Sequence, residues 1–211
     1  MDVLAQLLAD CPRVLGPDHL DTLTFCGDFA YWQGKAGDPA GAVTAYEQLL
    51  ADRLRVLGAD HPHTIGTRRA LANWRGEAGD PVGTVAAFGR LLTDHLRVLG
   101  PDHVDTARTR YDLARWKGEA GDAAGAVAAY ARLVTDCLGV LGPDHPDTLT
   151  ARHEVARWRG EAGDPVGAVL DLEKLLTDCQ QVLGPDHPDT VKLHNDLARW
   201  RGQAGETERN D

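Results

Sequence analysis

The 211-residue sequence is poor in several of the residues that signal export, membrane insertion or chemistry. It has one Met, four Cys and only 6% aromatic side chains, and 22 Lys and Arg stand against 32 Asp and Glu. The net charge of -10 argues against a surface that binds nucleic acid or an anionic membrane as a whole, while leaving room for a local basic stripe. The opening stretch MDVLAQLLAD lacks a basic n-region and a small-residue cleavage site, so no secretory signal is expected. No apolar run approaches the roughly 18–20 residues that span a bilayer, so no membrane segment is expected. There is no Gly-rich phosphate loop, no nucleophile set against a base and no pair of carboxylates in distinct environments, so neither an enzyme nor a cofactor is expected.

What the sequence does have is a period. Trp32, Trp74, Trp116, Trp158 and Trp200 are each 42 residues apart, as are Gly16, Gly58, Gly100, Gly142 and Gly184, and also His19, His61, His103, His145 and His187. Five periods account for 210 of the 211 residues, which reads as a single array over residues 1–211 with no linker. A repeat of this length is one supersecondary unit stacked on its neighbours. Cys11, Cys137 and Cys179 share one phase of it. Equivalent positions in stacked helical units lie roughly 8–10 Å apart, whereas a disulfide needs Cα atoms about 4.4–6.8 Å apart. Free thiols acting as small apolar residues, in a reducing cytoplasm, are therefore expected.

Each period divides into two helical stretches. In the second copy Ile65, Leu71, Trp74 and Ala78 mark one face of a first helix, A, which stops at Gly79. Asp80 suits the N-cap of the next helix and Pro81 its first position. That second helix, B, places Val85, Phe88, Leu91, Leu92, Leu96 and Leu99 inward and ends at Gly100. The fold class this predicts is all-α, an α-solenoid of antiparallel helix pairs with about ten helices. A B helix fills 1–15, units start near 16, 58, 100 and 142, a last A helix covers 184–205 and a tail covers 206–211.

Helix A reads Leu71-Ala72-x-Trp74 and then Gly79; helix B supplies Ala42, Ala126 and Ala168, with Tyr46, Phe88 and Tyr130 four residues on. This pattern resembles the tetratricopeptide repeat. The 42-residue spacing and the LGPDHPDT loop resemble the longer repeats of kinesin light chains and of many bacterial, especially actinobacterial, proteins. The resemblance covers the whole chain, with Thr84 in place of the small Ala and Leu172 in place of the aromatic as departures. It implies a right-handed superhelix whose A helices line a concave, peptide-binding groove.

The recurring Asp-His pair, as in Asp144-His145, invites a metal or a catalytic base. Zinc ligands must converge to about 2.0–2.3 Å from one ion, and equivalent residues one helix spacing apart cannot do so. A single pair supplies two ligands at most, and only His61-x-His63 adds a third nearby group. No metal site is expected. The pair sits where helix A begins, so an Asp oxygen or a neutral His nitrogen is expected to cap it. Asp147 adds charge at the positive end of the helix dipole. Leu20 and Val104 replace Pro146 in other copies, so that Pro is dispensable. The Trp series is expected to pack the core rather than form a ligand cage.

Specificity is expected where the copies differ. One position of helix A reads Gly27, Arg69, Tyr111, His153, Asn195, and four residues later Tyr31, Asn73, Arg115, Arg157, Arg199. The i, i+4 spacing puts both on one face, pointing away from Leu71 and Trp74. By the resemblance that face is the concave groove. Arg69, Asn73, Tyr111, Arg115, His153, Arg157, Asn195 and Arg199 then form a candidate site for a protein or peptide, acidic or carboxylate-ended. Glu77, Glu119 and Glu161 lie nearby and partly offset the charge.

The ends give a second expectation. Met1 aligns with Val43, so the chain starts on a B helix and finishes on an A helix near Gly205. Val3, Leu7, Leu8 and Val14 at one end, and Leu193, Leu197 and Trp200 at the other, form apolar stripes that predict head-to-tail self-association. Function is read as a non-catalytic binding scaffold. The alternatives are a self-assembling structural array, a sensor segment of a larger bacterial signalling protein, or an idealised, engineered array.

Overall fold

The computed structural model describes residues 10–11 and 13–210, with side chains to residue 205. Among these there are nine α-helices and no strand: α1 Leu20–Lys35, α2 Pro39–Leu57, α3 Pro62–Glu77, α4 Pro81–Val98, α5 Val104–Glu119, α6 Ala123–Val140, α7 Pro146–Glu161, α8 Pro165–Val182 and α9 Pro188–Asn210. Odd-numbered helices are the A helices and even-numbered ones the B helices. The chain divides into two compact units, residues 1–100 and 101–211, a division that the unbroken period does not mark. In each unit successive helices pack on one another as antiparallel pairs, the all-α solenoid arrangement.

The turns explain why the helices start and stop where they do. Asp38, Asp80, Asp122 and Asp164 cap the four B helices, each accepting the N–H three residues on at 2.8 Å. His19, His61, His103, His145 and His187 cap the A helices: each Nδ1 accepts the backbone N–H two residues later at 3.1–3.2 Å. The Asp beside each His is not the cap. An imidazole nitrogen that accepts must carry no proton, so these rings are held in the tautomer with hydrogen on Nε2. The Thr three residues after the His completes the joint. Thr22, Thr148 and Thr190 donate to the carbonyls of Gly16, Gly142 and Gly184 at 2.8–2.9 Å. Those glycines have φ of 96°, 87° and 92°, a region that side chains with a Cβ avoid.

Each core is built from the crossing of A and B. The first unit buries Leu23, Ala30, Tyr46, Leu49 and Leu71 together. The second has two clusters, one around Ala114, Ala126, Tyr130 and Trp158 and one around Leu149, Leu172, Leu175 and Trp200. The two departures from the repeat pattern are absorbed. Thr84 is fully buried, and its hydroxyl donates to the Ala72 carbonyl at 3.0 Å; Leu172 is as buried as the aromatics it replaces.

Two sequence expectations need correction. In α4, Leu96 is 41% exposed and His95, at 1%, takes the inward place, because Phe88, Leu91 and His95 follow the 3.6-residue stripe and Leu96 lies about 100° off it. The last helix does not stop at Gly205 but runs to Asn210. Gly79 and Gly163 precede Asp-Pro, which begins a new helix, whereas Gly205 precedes Glu206-Thr207. By length and composition alone α6 is apolar enough to cross a membrane, although Arg132 and Asp136 interrupt its apolar run. Here it packs Ala126, Tyr130, Leu133 and Cys137 inward and exposes Arg132 and Asp136.

Candidate binding face of the A helices

Three of the five Trp, namely Trp74, Trp158 and Trp200, sit against a glycine of the preceding A helix in the same unit. A Cβ on Gly34 would lie 2.4 Å from the Trp74 indole, one on Gly118 2.2 Å from Trp158, and one on Gly160 2.6 Å from Trp200. Only hydrogen fits there, so the two helices come close and the indole fills the gap. The Trp series therefore joins A helix to A helix. Trp32, on the first A helix, is 53% exposed.

Above the tryptophans of the second unit lies a row of cations. The guanidinium carbons of Arg115, Arg157 and Arg199 stand 4.8, 4.3 and 4.5 Å from the ring centroids of Trp116, Trp158 and Trp200. The electron-rich ring faces hold the cations by cation–π attraction. The recurring Arg-Trp dipeptide was the sequence signal for this row, and periodicity alone did not disclose it. Arg157 also pairs with Glu154 at 2.9 Å and Arg199 with Glu161 at 2.8 Å. Glu161 thus offsets the charge by direct contact.

The remaining variable residues divide. Asn195 and Arg199 are exposed, and Arg115 and Arg157 half-exposed. His153, by contrast, is only 8% exposed, and its Nε2 lies 2.6 Å from the Asp196 carboxylate on α9. Tyr111 packs edge-on against Tyr130 with ring centroids 5.2 Å apart, and burial raises the pKa of both phenols. His153 is thus buried in a contact with the next A helix, and Tyr111 is half-buried against the B helix that follows it. A face defined by i, i+4 spacing does not disclose these contacts. In the first unit Arg69 and Asn73 lie half-buried on α3. On α1, Tyr31 packs against Trp32 and Trp74 with centroids 5.4 and 6.1 Å away, and the Lys35 ammonium sits 5.7 Å from its ring.

The end residues are placed differently from expectation. Leu193, Leu197 and Trp200 are interior, packed with Leu172, Leu175 and Cys179. The stripe read as an open apolar face is used up within the unit by contact with α8. Val3, Leu7 and Leu8 lie outside the described residues, and Val14 is exposed. Among the described residues no group of three or more His, Cys, Asp or Glu is placed to hold a metal, and the His61 Nδ1 lone pair is taken by the His63 N–H. Cys11, Cys26, Cys137 and Cys179 are free thiols. Burial raises the pKa of Cys26, Cys137 and Cys179, which disfavours the reactive thiolate.

A family profile described as "Tetratricopeptide repeat" matches residues 22–63, 106–147 and 148–189, more than half of the chain. A solved structure from Podosopora anserina, described as a kinesin light chain with nearly identical TPR-like repeats, is similar with a TM-score of 0.76 and 24% identity, covering 90% of each chain. BtubC (BKLC) from P. vanneervenii is similar with a TM-score of 0.76 and 14% identity, covering 98% of this chain and 84% of its own. At these identities the likeness speaks to the fold. A comparison with curated proteins finds no match.

Proposed function

The chain belongs to the tetratricopeptide repeat family, and we propose that it is a non-catalytic scaffold whose second unit binds an extended, acidic or carboxylate-ended peptide. The observation that carries this reading is the row of Arg115, Arg157 and Arg199, one on each of α5, α7 and α9, each stacked on the Trp that follows it. Stacking restricts a side chain that otherwise costs rotamer entropy to order, so the guanidinium groups are pre-organised. A guanidinium has five N–H donors. The pairs to Glu154 and Glu161 leave others to meet a carboxylate in the charge-assisted geometry that Arg favours. Asn195, exposed beside them, can donate to a peptide carbonyl.

Fluorescence polarisation with labelled acidic peptides tests the proposal. A charge-assisted hydrogen bond contributes about 1.5–3 kcal/mol, so Arg157→Ala and Arg199→Ala should each weaken binding by roughly tenfold or more. Raised salt should weaken it as well, since the contacts are exposed. Equal affinity for wild type and both variants, with helical content unchanged by circular dichroism, would place the peptide elsewhere and overturn the reading.

A further inference from the structure

Within each unit, the joint between successive A helices has a knob and a hole. Trp74, Trp158 and Trp200 are knobs, and Gly34, Gly118 and Gly160 are the holes, with no space for a Cβ. In every case the Trp follows its Gly by 40 residues. Trp116 and Gly76, which hold the same repeat positions, are both buried, so one exposed knob and one open hole remain, at opposite ends of the repeat register. Trp32 is 53% exposed and its neighbour Tyr31 42%, a large aromatic patch open to water. Gly202 occupies the same repeat position as Gly34, Gly118 and Gly160, yet a Cβ there would meet nothing within 4 Å. A neighbouring polar pair repeats the arrangement. His153 on one A helix meets Asp196 on the next at 2.6 Å. The corresponding residues at the two ends are Asn195 on α9 and Asp28 on α1, both exposed, an amide donor and a carboxylate acceptor.

We propose that this surface is a joint between two copies of the chain, Trp32 of one copy seated on Gly202 of the next. The Asn195 amide then donates to Asp28 across the same joint. The occupant is a second copy because knob, hole and polar pair are displaced by one common interval, five periods of 42 residues, so a second copy continues the spacing of the first. The contact uses different surfaces on the two partners. It is heterologous and propagates into a filament unless the rotation closes a ring. It differs from the apolar stripes read from the sequence, since Leu193, Leu197 and Trp200 are interior. Each copy carries a net charge of -10, so their repulsion is screened by salt and association strengthens as ionic strength rises. That response is opposite to the one expected for an acidic peptide, and the two proposals fail separately.

Sedimentation velocity of the full chain from micromolar to millimolar concentration, at low and high salt, tests the joint. Wild type should grow in mass with concentration, more so at high salt. Trp32→Ala and Gly202→Ala should each stay monomeric, the second because its methyl blocks the indole although it meets nothing in the single copy. An equimolar mixture of the two variants retains one working knob and one working hole, so it should form a dimer and grow no further. A wild type that is monomeric throughout, or a Gly202→Ala protein that associates like wild type, overturns the proposal. The second outcome would also expose a symmetric Trp32-to-Trp32 contact. Retained thermal stability of Gly202→Ala separates a blocked joint from a damaged fold.

Discussion

One repeat position is filled by Arg53 and His95 in the first unit and by Cys137 and Cys179 in the second, all four of them buried. The cysteines pack as small apolar groups and need no partner. Arg53 spans three helices, donating to the Leu23 carbonyl at 3.1 Å, the His63 carbonyl at 3.1 Å and the Thr67 hydroxyl at 2.7 Å. Burial lowers its pKa. The comparison teaches that the period fixes where backbones cross, while the chemistry filling the crossing can change from a thiol to a cation. At Arg53 the change is met by two carbonyls and a hydroxyl turned toward the guanidinium.

Arg53→Ala is the largest break of this comparison. It removes the donors of two carbonyls and a hydroxyl and leaves a cavity, at an expected cost of about 2–4 kcal/mol in urea unfolding. Arg53→Cys, which copies the second unit's residue, should recover little of that, because a thiol cannot reach the Leu23 and His63 carbonyls and the Thr67 hydroxyl together. Cys137→Ala should cost about 1 kcal/mol, the loss of one small apolar group. If Arg53→Ala shifts the unfolding midpoint no more than Cys137→Ala does, the three bonds contribute little and the two fillings are equivalent.

The glycine holes sharpen the comparison at the next level of effect. Gly118→Ala drives a methyl into the Trp158 ring and should destabilise by about 1–3 kcal/mol, the usual cost of overpacking. Gly34→Ala meets Trp74 at a similar distance, but Trp74 is half-buried where Trp158 is buried, so it has more room to yield and the loss should be smaller. Gly202→Ala should reverse the sign, gaining about 0.5–1 kcal/mol from the lower chain entropy of Ala in a helix. Thermal unfolding of the three variants under matched conditions checks the order. A destabilised Gly202→Ala would show that its space is already occupied.

Most of the architecture was legible because each turn is written in residues with one physical role. Asp at the B caps, His at the A caps and Gly at the positive-φ joints recur at fixed intervals, so the helix boundaries at 39, 62, 81, 146, 165 and 188 follow from the repeat. The site was less legible. Spacing on one helix shows which residues share a face, but not which of them the next helix covers. His153 and Asn195 hold the same repeat position, yet Asp196 of the next A helix meets His153 while Asn195 is exposed. The Trp–Gly joint needed the distance between helices, which no single-helix pattern contains. Thr22, Thr148 and Thr190 were visible as part of LGPDHPDT, but their bonds back to glycine carbonyls run across a loop whose path the sequence does not state.

The smallest expected effect again separates the units, at two equivalent B-helix caps. Asp38 accepts the Gly41 N–H and a neutral Gln33 amide at 2.7 Å. Asp164 accepts the Gly167 N–H and the Arg159 guanidinium at 2.6 Å, and Arg159 also holds Asp171 at 3.0 Å. Both pKa values are lowered, chiefly by the backbone N–H, with Gln33 assisting at Asp38 and Arg159 at Asp164. A carboxylate whose pKa is lower folded than unfolded stabilises the fold fully above its unfolded pKa, about 3.9, and loses that contribution as the pH falls through the folded value. The melting temperature should therefore decline below roughly pH 4, and Asp38→Asn or Asp164→Asn, which keep a capping oxygen without the charge, should flatten that decline. Salt distinguishes the two. Screening should weaken the acid sensitivity carried by Asp164, whose partner is charged, more than that carried by Asp38, whose partners are neutral. Equal salt responses in the two Asn variants would mean that the Arg159 contact adds nothing to the cap.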